Sequence, residues 1–553
     1  RELFKLKRRV DRTQTEVNLE EYRVAKKAYK KELKLAKSNG WRQFCSNMKD
    51  TNTTARVHKL LKMGKREDIG SLKNEAGNFT STPQETIELL LNTHFPDPEP
   101  GQVNDGTGNN NDCSGNGKLD MDKVINEEAV RAAISSFKPY KSPGMDGIYP
   151  ALLQQGMAFL LIFIVDIYKD CLKQGITPAK WLETKVCFIP KPGKQSYMDP
   201  KDLRPISLFS FLLKGLERCI HWYINENHLR NNLSRNIYAY RESIGTEDAL
   251  HNLTFKIEKA LEKGEHALVL FLDMSAAFSS VTVDSIIKNL KDLGVEDEIL
   301  VWAKHMLLNR KAFAFISGEQ GFKFVFRGTP QGGVLSIIFW NSGSQNLQNR
   351  FPRIHPTETN AFADDSATVA VGIDVQVLAD NIQKDIRTME GWAKDHGLKF
   401  NAKKTKVMLF TRKNVKRRPK LYINGEEIEY VNEYKYLGVT IDSKLSWNKH
   451  IQNIANRATG TFMQCQTMLG RTWGLSPKIT RWAYLSLIRP TMSYGSLIWL
   501  KGTFIPSQAK YLVKVQRRAC TAILSSMRTT PTKGMEIILN IPPITLFLQT
   551  QAV

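Results

Sequence analysis

Two short apolar runs flank a pair of adjacent aspartates near the middle of the chain. Residues 360–363 (NAFA) precede Asp364 and Asp365, and residues 367–371 (ATVAV) follow them. Successive residues of a strand point to opposite faces, so neighbouring carboxylates on a flat strand cannot face one target. A two-residue hairpin turn places both at its tip, and Asp tolerates turn geometry. The pattern predicts a β-hairpin whose acidic tip is either a solvated turn or a site for a divalent cation.

Further patterns predict regular structure on both sides of this hairpin. Residues 267–272 form a continuous apolar run that ends in Asp273, which is typical of a buried strand that delivers a carboxylate at its end. A helix is predicted from about residue 377 to residue 397, and a strand at residues 406–410. Residues 421–428, centred on Asn424-Gly425, predict a second hairpin.

The outer parts of the chain are predicted to be mostly helical. Residues 18–38 have apolar positions at helical spacing, with Lys and Arg on the other faces. Residues 120–260 predict helices with one strand near residues 185–189, and the chain from about residue 447 predicts basic helices with interleaved Trp. Between them, residues 96–117 are rich in Pro, Gly, Asn and Asp, which predicts a flexible linker and a domain boundary.

Composition narrows the function. The chain has 553 residues, 42% of them hydrophobic, and a formal net charge of +24. That charge favours a polyanionic partner, with nucleic acid first and an anionic membrane surface second. The seven Cys form no Cys-x-x-Cys pair, which argues against a zinc or redox motif. The longest apolar runs fall short of a bilayer span, so we expect no membrane partner.

Asp273, Asp364 and Asp365 together change the interpretation of the hairpin tip. Two like charges about 4 Å apart repel by about 4 kcal/mol at an effective dielectric near 20. Such a cluster is costly without cations, and Mg²⁺ prefers carboxylate oxygens together with substrate phosphates. Two Mg²⁺ ions can activate an attacking hydroxyl and stabilise a leaving pyrophosphate. An acidic centre in a basic chain therefore predicts nucleotidyl transfer.

Short motifs then follow one another in an order that is specific. They are KPYKSPGMDG (138–147), IPKPGK (189–194), LRPISL (203–208), AYR (239–241) with TEDAL (246–250), FLDMSAAF (271–278), GTPQGGVLS (328–336), FADD (362–365), GLKFN (397–401) and YKYLGV (434–439). This order resembles the reverse transcriptase of a non-LTR (LINE-type) retrotransposon, of the Jockey-like group. The resemblance covers roughly residues 120–500.

The resemblance implies an α+β right-hand polymerase with fingers, a palm built on an antiparallel sheet, and a helical thumb. A basic helical N-terminal extension (1–95) and a linker (96–119) would precede fingers and the start of the palm (120–262). The palm with the catalytic core would follow (263–430), and then the primer grip with the helical thumb (431–553). The reverse transcriptase domain would span about residues 171–442.

The resemblance also implies roles for particular residues. Asp273 and Asp364 would be the main ligands of two Mg²⁺ ions, Asp365 would complete the acidic site, and the carbonyl of Met274 could add a ligand. Phe278 resembles a steric gate that favours dNTP over rNTP.

Basic and loop residues would hold the substrates. Lys191 and Arg204 resemble residues that bind nucleotide phosphate, and Gln331-Gly332 a loop beside the nascent base pair. Lys404 resembles a general acid for the departing pyrophosphate. The primer grip would comprise Tyr436, Leu437 and Gly438.

The implied partners are a template RNA, a nicked target DNA primer and dNTPs. No endonuclease or RNase H motif is recognisable, so the nick is expected from a missing upstream domain or another protein. The expected location is the nucleus, where integration takes place, with cytoplasmic assembly on RNA as a further option.

Three departures from the family pattern leave an alternative open. Ser279 stands where an Asp is usual, Ile337 where Pro is usual, and residues 242–245 (ESIG) are less basic than usual. The alternative is a catalytically weakened or repurposed copy that binds RNA or DNA. Retention of the three aspartates favours an active polymerase, because a binding role does not need a costly acidic cluster.

Overall fold

The computed structural model of the chain describes residues 2–48, 50–63, 69–97, 118–191, 196–230, 232–352, 354–468 and 474–551. Contacts divide the chain into two units. One unit joins Arg1–Arg66 to Leu445–Val553, and the other is Glu67–Lys444. The predicted linker at residues 96–119 lies almost entirely outside the described residues.

Helices are present in both units. In chain order they are α1 (Glu2–Thr13), α2 (Glu16–Asn47), α3 (Thr51–Met63), α4 (Pro83–His94), α5 (Met121–Val124), α6 (Glu127–Ser135), α7 (Pro150–Gln155), α8 (Met157–Gln174), α9 (Ala179–Leu182), α10 (Phe211–Ile224), α11 (Thr246–Glu262), α12 (Ala277–Ser280), α13 (Val283–Asp292), α14 (Asp297–Leu308), α15 (Ser336–Asn349), α16 (Val375–Asp395), α17 (Asn448–Gln466), α18 (Pro477–Ala483), α19 (Arg489–Ser493), α20 (Ser496–Thr503), α21 (Pro506–Leu524), α22 (Thr532–Leu539) and α23 (Ile544–Gln551). The described part of the chain contains no helix that is both long and apolar enough to cross a membrane.

The described strands lie in the unit Glu67–Lys444. They are β1 (Glu183–Pro190), β2 (Leu203–Leu208), β3 (His266–Leu272), β4 (Met274–Ser275), β5 (Arg310–Ile316), β6 (Glu319–Val325), β7 (Thr357–Phe362), β8 (Asp365–Gly372), β9 (Lys399–Phe400), β10 (Lys406–Phe410), β11 (Tyr422–Ile423), β12 (Glu426–Glu427), β13 (Glu429–Tyr430), β14 (Glu433–Tyr436) and β15 (Val439–Asp442). Helices and sheets are thus mixed in this unit, as expected for an α+β fold.

A five-stranded sheet forms the centre of this unit, in the order β13-β10-β3-β8-β7. Every residue of β3 is buried. Alternate residues of a strand face opposite sides, so the sheet must be covered on both sides along β3. On one side, Leu268 and Leu270 share a core with Ile382 and Ile386 of α16. The predicted strands at residues 267–272 and 406–410 and the helix near 377–397 are confirmed as β3, β10 and α16.

A second sheet has four strands in the order β2-β1-β5-β6. One face packs on α4, where Ile87, Leu90 and Leu91 join Val186 and Ala312 in a separate core. The sequence predicted β1 but missed β2, so the expectation of one strand in residues 120–260 is wrong. Pro205 weakens the strand signal of β2, and the sheet tolerates it because β2 lies at the edge.

Two-residue turns close the hairpins near the five-stranded sheet. The pairs Phe362↔Asp365 and Ile423↔Glu426 confirm the two predicted hairpins. The prediction that a two-residue turn holds both Asp364 and Asp365 is wrong by one residue, because the central residues are Ala363 and Asp364 and Asp365 begins β8. Asn424 and Gly425 both have positive φ, at 51° and 79°, which suits the twist of a tight hairpin.

The other unit is helical. The basic helix predicted at residues 18–38 is part of α2, and the C-terminal helices predicted from about residue 447 are α17–α23. Trp447 and Trp499 are buried, so these two side chains serve packing.

Two helices of the sheet-bearing unit end at glycines that differ in their surroundings. Gly175, after α8, and Gly264, after α11, have φ of 66° and 72°. An added Cβ at Gly175 would lie 2.4 Å from Cγ1 of Val301, whereas nothing lies within 4 Å of a Cβ at Gly264. Substitutions at the two positions therefore distinguish the cost of backbone strain from the cost of steric contact.

We expect Gly264→Ala to cost about 1 kcal/mol in the free energy of unfolding, because an L residue is strained at positive φ. Gly175→Ala should cost about 1–3 kcal/mol more, owing to the contact with Val301. Urea denaturation measures both, and adding Val301→Ala to Gly175→Ala should recover part of the difference. Equal losses for the two glycines would contradict the contact.

Candidate active site

The three aspartates meet at one end of the five-stranded sheet. β3 pairs with β8 antiparallel, and the pair Leu272↔Ser366 is at the end of their ladder. The next residues, Asp273 after β3 and Asp365 at the start of β8, therefore lie at the same end. Asp364 is the neighbouring turn residue. Strand register thus brings together carboxylates that are far apart in the sequence.

The turn that carries Asp364 is strained. Ala363 and Asp364 are its two central residues, and Ala363 has a φ of 53°. Glycine adopts this left-handed conformation readily, whereas for other L residues it costs on the order of 1 kcal/mol. The hairpin therefore holds Asp364 at some cost in local free energy.

The carboxylates interact electrostatically. Loss of hydration, followed by the charges of Asp364 and Asp273, raises the pKa of Asp365 to about 6. Loss of hydration and Asp273 also raise the pKa of Asp364, while Arg204 and Lys404 act in the opposite direction. Both turn carboxylates keep solvent-accessible surface. The site is therefore acidic, crowded and open to a ligand.

Lys404 is the lysine that reaches the carboxylates. Its Nζ lies 3.4 Å from Oδ2 of Asp273. Lys406, two residues further on, points its Nζ to the carbonyl of Lys403 and to Glu429, at 2.6 and 2.7 Å. Of the predicted cations, Lys404 therefore pairs with Asp273, and the charge of Arg204 acts to lower the pKa of Asp364.

Lys191 is held within its own loop. Its Nζ donates to the carbonyl of Lys201 at 2.6 Å, and its backbone N–H donates to the carbonyl of Asp202. Lys194 lies outside the described residues. The proposed contact of Lys191 with nucleotide stays a prediction.

Phe278 lies on α12 and stacks on Trp340 of α15, with ring centroids 4.9 Å apart. Its carbonyl accepts a hydrogen bond from the Thr329 N–H at 2.7 Å. Ser279, which replaces the usual Asp, donates its hydroxyl to the carbonyl of Ala276 at 3.1 Å. The ring is therefore backed by a second aromatic side chain, and Ser279 is satisfied locally.

The glycine-rich loop at residues 328–333 packs closely on β2. The Ser207 N–H donates to the carbonyl of Gln331 at 2.8 Å. Gly332 has a φ of 129°, and an added Cβ would lie 2.3 Å from the Ser207 carbonyl oxygen. Glycine is needed here for an approach to the protein's own backbone, and the contact of this loop with a nascent base pair stays a prediction.

Two buried charged residues that the sequence did not single out hold the ends of this loop. Arg310 donates from Nη2 to the carbonyls of Arg327 and Gly328, at 3.0 and 2.7 Å. Glu217 accepts from the Val334 N–H at 3.0 Å. Burial lowers the pKa of Arg310 to about 9 and raises the pKa of Glu217. The sequence signal available for Glu217 was its position as the one acidic residue of the apolar helix α10.

The hairpin β14–β15 packs beside the aspartates. Tyr434 stacks on Phe271 of β3, with centroids 4.4 Å apart. Burial, Asp273 and Asp365 raise the pKa of Tyr434 to about 12. Tyr436 is buried, and burial together with Asp365 raises its pKa. Tyr436 therefore supports the hairpin from inside the fold.

The turn of this hairpin is formed by Leu437 and Gly438, with φ of 45° and 88°. Both residues are placed at a tip, as a primer-positioning role requires, and that role stays a prediction.

Tyr240 is a residue near the site to which the sequence analysis gave no role. It has a φ of 61° and lies near Asp364, and burial and that carboxylate raise its pKa. Its place in the AYR motif was the signal.

The donor set suits a hard cation. Oδ2 of Asp273 is buried and accepts no hydrogen bond among the described residues. The nearby ligand atoms are carboxylate oxygens, which Mg²⁺ prefers. Met274 begins β4, which pairs with β9, and its side chain is buried, so only its backbone carbonyl is a candidate ligand. Within the described ranges, no three His, Cys, Asp or Glu side chains are already arranged around one metal position.

Comparison with known proteins identifies a family that matches this part of the chain. Residues 189–441 match the family described as "Reverse transcriptase (RNA-dependent DNA polymerase)". The chain carries a reverse transcriptase domain. This matched region contains the three aspartates, the glycine-rich loop, Lys404 and the hairpin β14–β15. The predicted resemblance to the reverse transcriptase of a non-LTR retrotransposon is confirmed, since relatives of this domain occur in such elements.

Two relatives show how far the similarity extends. The chain is 25% identical over 542 residues to "Putative 115 kDa protein in type-1 retrotransposable element R1DM" of Drosophila melanogaster, covering 96% of this chain and 50% of that protein. It is 26% identical over 430 residues to "RNA-directed DNA polymerase from mobile element jockey" of Drosophila funebris, covering 77% and 45%. The chain spans about half the length of the curated relatives it matches.

One solved structure gives a weaker likeness. Apo telomerase from Candida tropicalis, truncated from the C-terminal domain, has a TM-score of 0.33 and 12% identity, covering 55% of this chain and 62% of that chain. That similarity is too low to assign details of the fold.

We expect Asp365→Asn to raise the free energy of unfolding at pH 7 in EDTA by about 1 kcal/mol, because it removes a like charge from a partly exposed cluster. The raised pKa means that the folded state disfavours the charged form. The gain should therefore approach its full size above about pH 6 and vanish only below about pH 3, where the carboxyl is protonated in both states.

Urea denaturation across this pH range measures the effect. Asp166→Asn, on the exposed side of α8, is the matched control and should change stability by less than about 0.5 kcal/mol. A loss of stability in Asp365→Asn, or a gain independent of pH, would show that the charges do not repel.

Proposed function

We propose that this chain is an RNA-directed DNA polymerase that extends the 3′ end of a nicked target DNA on the RNA of its element. The observation that carries the proposal is the convergence of Asp273, Asp364 and Asp365 at one sheet end, with Lys404 and Arg204 beside them. A reverse transcriptase domain around this cluster supports the same chemistry.

Two Mg²⁺ ions fit the donor set. Asp273 and Asp364 would hold both ions, with Asp365 and the carbonyl of Met274 as further ligands. Bound Mg²⁺ would lower the pKa of the primer 3′ hydroxyl and neutralise charge on the leaving pyrophosphate. The raised pKa values of the turn carboxyls support a site in which added positive charge is favourable.

The chain's own residues would bind, orient and donate a proton. Arg204 would bind the triphosphate through its planar guanidinium. Lys191 is close to it in sequence, on the loop between β1 and β2. Lys404, exposed beside Asp273, would donate a proton to the departing pyrophosphate. Gln331 and Gly332 would line the nascent pair, and Tyr436 would support a primer grip at Leu437-Gly438.

The proposed layout assigns the five-stranded sheet and the hairpin β5–β6 to the palm, β1 and β2 to the fingers, and helices α17–α23 to the thumb. A template RNA, a nicked DNA primer and dNTPs would be the partners, in the nucleus, with the nick made by a further domain or another protein. The basic net charge supports nucleic acid as the partner.

A repurposed, nucleic-acid-binding copy is the second candidate. The observation in its favour is Ser279, whose hydroxyl bonds only to the Ala276 carbonyl among its described contacts, where family members usually carry an acid. The acidic cluster itself is intact.

Primer extension tests the proposal. Wild type should extend a DNA primer on an RNA template with Mg²⁺ and dNTPs. Asp364→Ala/Asp365→Ala should lower the rate by at least about a thousandfold, because a loss of about 4 kcal/mol in transition-state stabilisation has that effect. Asp166→Ala is the matched control and should extend as wild type does.

Two outcomes would decide against the proposal. Tight RNA binding by wild type without any extension would favour the repurposed copy. Equal extension by wild type and the double variant would show that the aspartates were assigned wrongly.

Phe278→Ala should increase incorporation of rNTP relative to dNTP by roughly ten- to a hundredfold, the range for discrimination by an apolar contact. The ring backed by Trp340 would otherwise clash with a 2′-hydroxyl. The measured quantity is the ratio of kcat/KM for the two sugars, so a general loss of activity does not affect it. Phe278→Tyr keeps the ring and is the control. An unchanged ratio in Phe278→Ala would remove the steric-gate role.

A further inference from the structure

The four-stranded sheet leaves a row of aromatic rings on the face that α4 does not cover. In the hairpin β5–β6, Phe313 pairs with Phe322 and Lys311 pairs with Phe324, and directly paired residues share a face. We call the side chains of this row and its cations the phenylalanine face, which comprises Phe313, Phe315, Phe322, Phe324, Lys185 and Lys311.

The rings are unusually exposed for a cluster. Phe315, Phe322 and Phe324 have 43%, 55% and 45% of their surface accessible. Ring centroids are 5.5 Å apart for Phe313 and Phe322, and 6.0 Å for Phe322 and Phe324. Single exposed apolar residues are ordinary, but contiguous apolar patches mark interaction sites.

Lysines lie among the rings. Lys185 of β1 places its Nζ 5.4 Å from the ring centre of Phe315. Lys311 of β5 lies 5.0 Å from the centre of Phe324 and 6.0 Å from that of Phe322. Aromatic rings with interleaved cations suit unpaired nucleic acid, because bases stack on the rings while ammonium groups meet the phosphates. A purely apolar protein partner would leave these charges unpaired.

The phenylalanine face shares its side of the four-stranded sheet with Arg204. Lys185 pairs with Leu208, and along the same alternation Ile189 pairs with Arg204, so Arg204 projects on the same side of the sheet. Three strand spacings separate β2 from β6, about 14 Å in all. A strand of a few nucleotides would span that distance.

We propose that the phenylalanine face binds single-stranded template RNA by base stacking, on the side of the four-stranded sheet that carries Arg204. The proposal rests on the polymerase function proposed above for the choice of RNA as the strand. Stacking on phenylalanine does not read the base, so this surface would hold templates of any sequence.

Binding of two probes by the full chain tests the proposal. One is a fluorescent single-stranded RNA of about 20 nucleotides, and the other is a blunt RNA–DNA duplex of the same length. Phe322→Ala/Phe324→Ala should weaken single-strand binding about tenfold or more, the effect expected when base–aromatic stacking is lost, and should weaken duplex binding much less.

Matched variants guard against misfolding. Phe322→Trp/Phe324→Trp keeps aromatic surface and should retain single-strand affinity. Phe159→Ala removes a ring that is 82% exposed on α8 and should change neither affinity. Lys311→Gln should reduce the salt dependence of single-strand binding, because one phosphate contact is lost.

The outcomes separate this proposal from the polymerase function. Primer extension by wild type together with unchanged single-strand affinity in the double alanine variant would overturn the stacking surface alone. Selective loss of single-strand affinity, in a chain that extends no primer, would support the surface and reject the polymerase. An equal loss for both probes, or reduced self-association with unchanged RNA affinity, would also overturn the proposal.

Discussion

The pairing of β3 with β8 is the interaction on which the site depends. It sets Asp273 beside the turn that carries Asp364 and Asp365. The charges of Asp364 and Asp273 disfavour ionisation of Asp365, so the ladder and the buried apolar residues of β3 must hold the turn against a repulsion that costs free energy. Lys404 offsets part of that cost in the absence of a ligand. Stability and chemistry are therefore opposed at this turn, as is common at functional sites.

Buried charges play a different part in the glycine-rich loop. Arg310 and Glu217 lie in the core, where an unpaired charge would cost several kcal/mol. Each is satisfied by backbone groups at one end of the loop, Arg310 at Gly328 and Glu217 at Val334. The loop can then pass close to Ser207 in one conformation, because both of its ends are fixed by hydrogen bonds to buried charged groups.

Local patterns were sufficient for much of the fold and for the acidic cluster. A continuous apolar run predicts β3, and Asn424-Gly425 predicts its hairpin, because each signal lies within a few residues. β2 was missed because Pro205 argues against a strand unless its edge position is known. Which of Lys404 and Lys406 reaches the aspartates depends on the direction in which each side chain extends. The phenylalanine face could not be predicted, since strand register decides which rings share a side.

The helical unit has a consequence for synthesis on the ribosome. Its first part, Arg1–Arg66, emerges before the sheet-bearing unit, whereas Leu445–Val553 emerges after it. Within this unit Trp41 of α2 donates to the carbonyl of Thr467, and α3 packs on α17 and α18. Helices α2 and α3 therefore cannot complete their packing until α17 and α18 have been synthesised. The several hundred residues between them can meanwhile fold as a domain of their own. Completion of the helical unit therefore depends on synthesis of the whole sheet-bearing unit, which lies between its two parts in the chain.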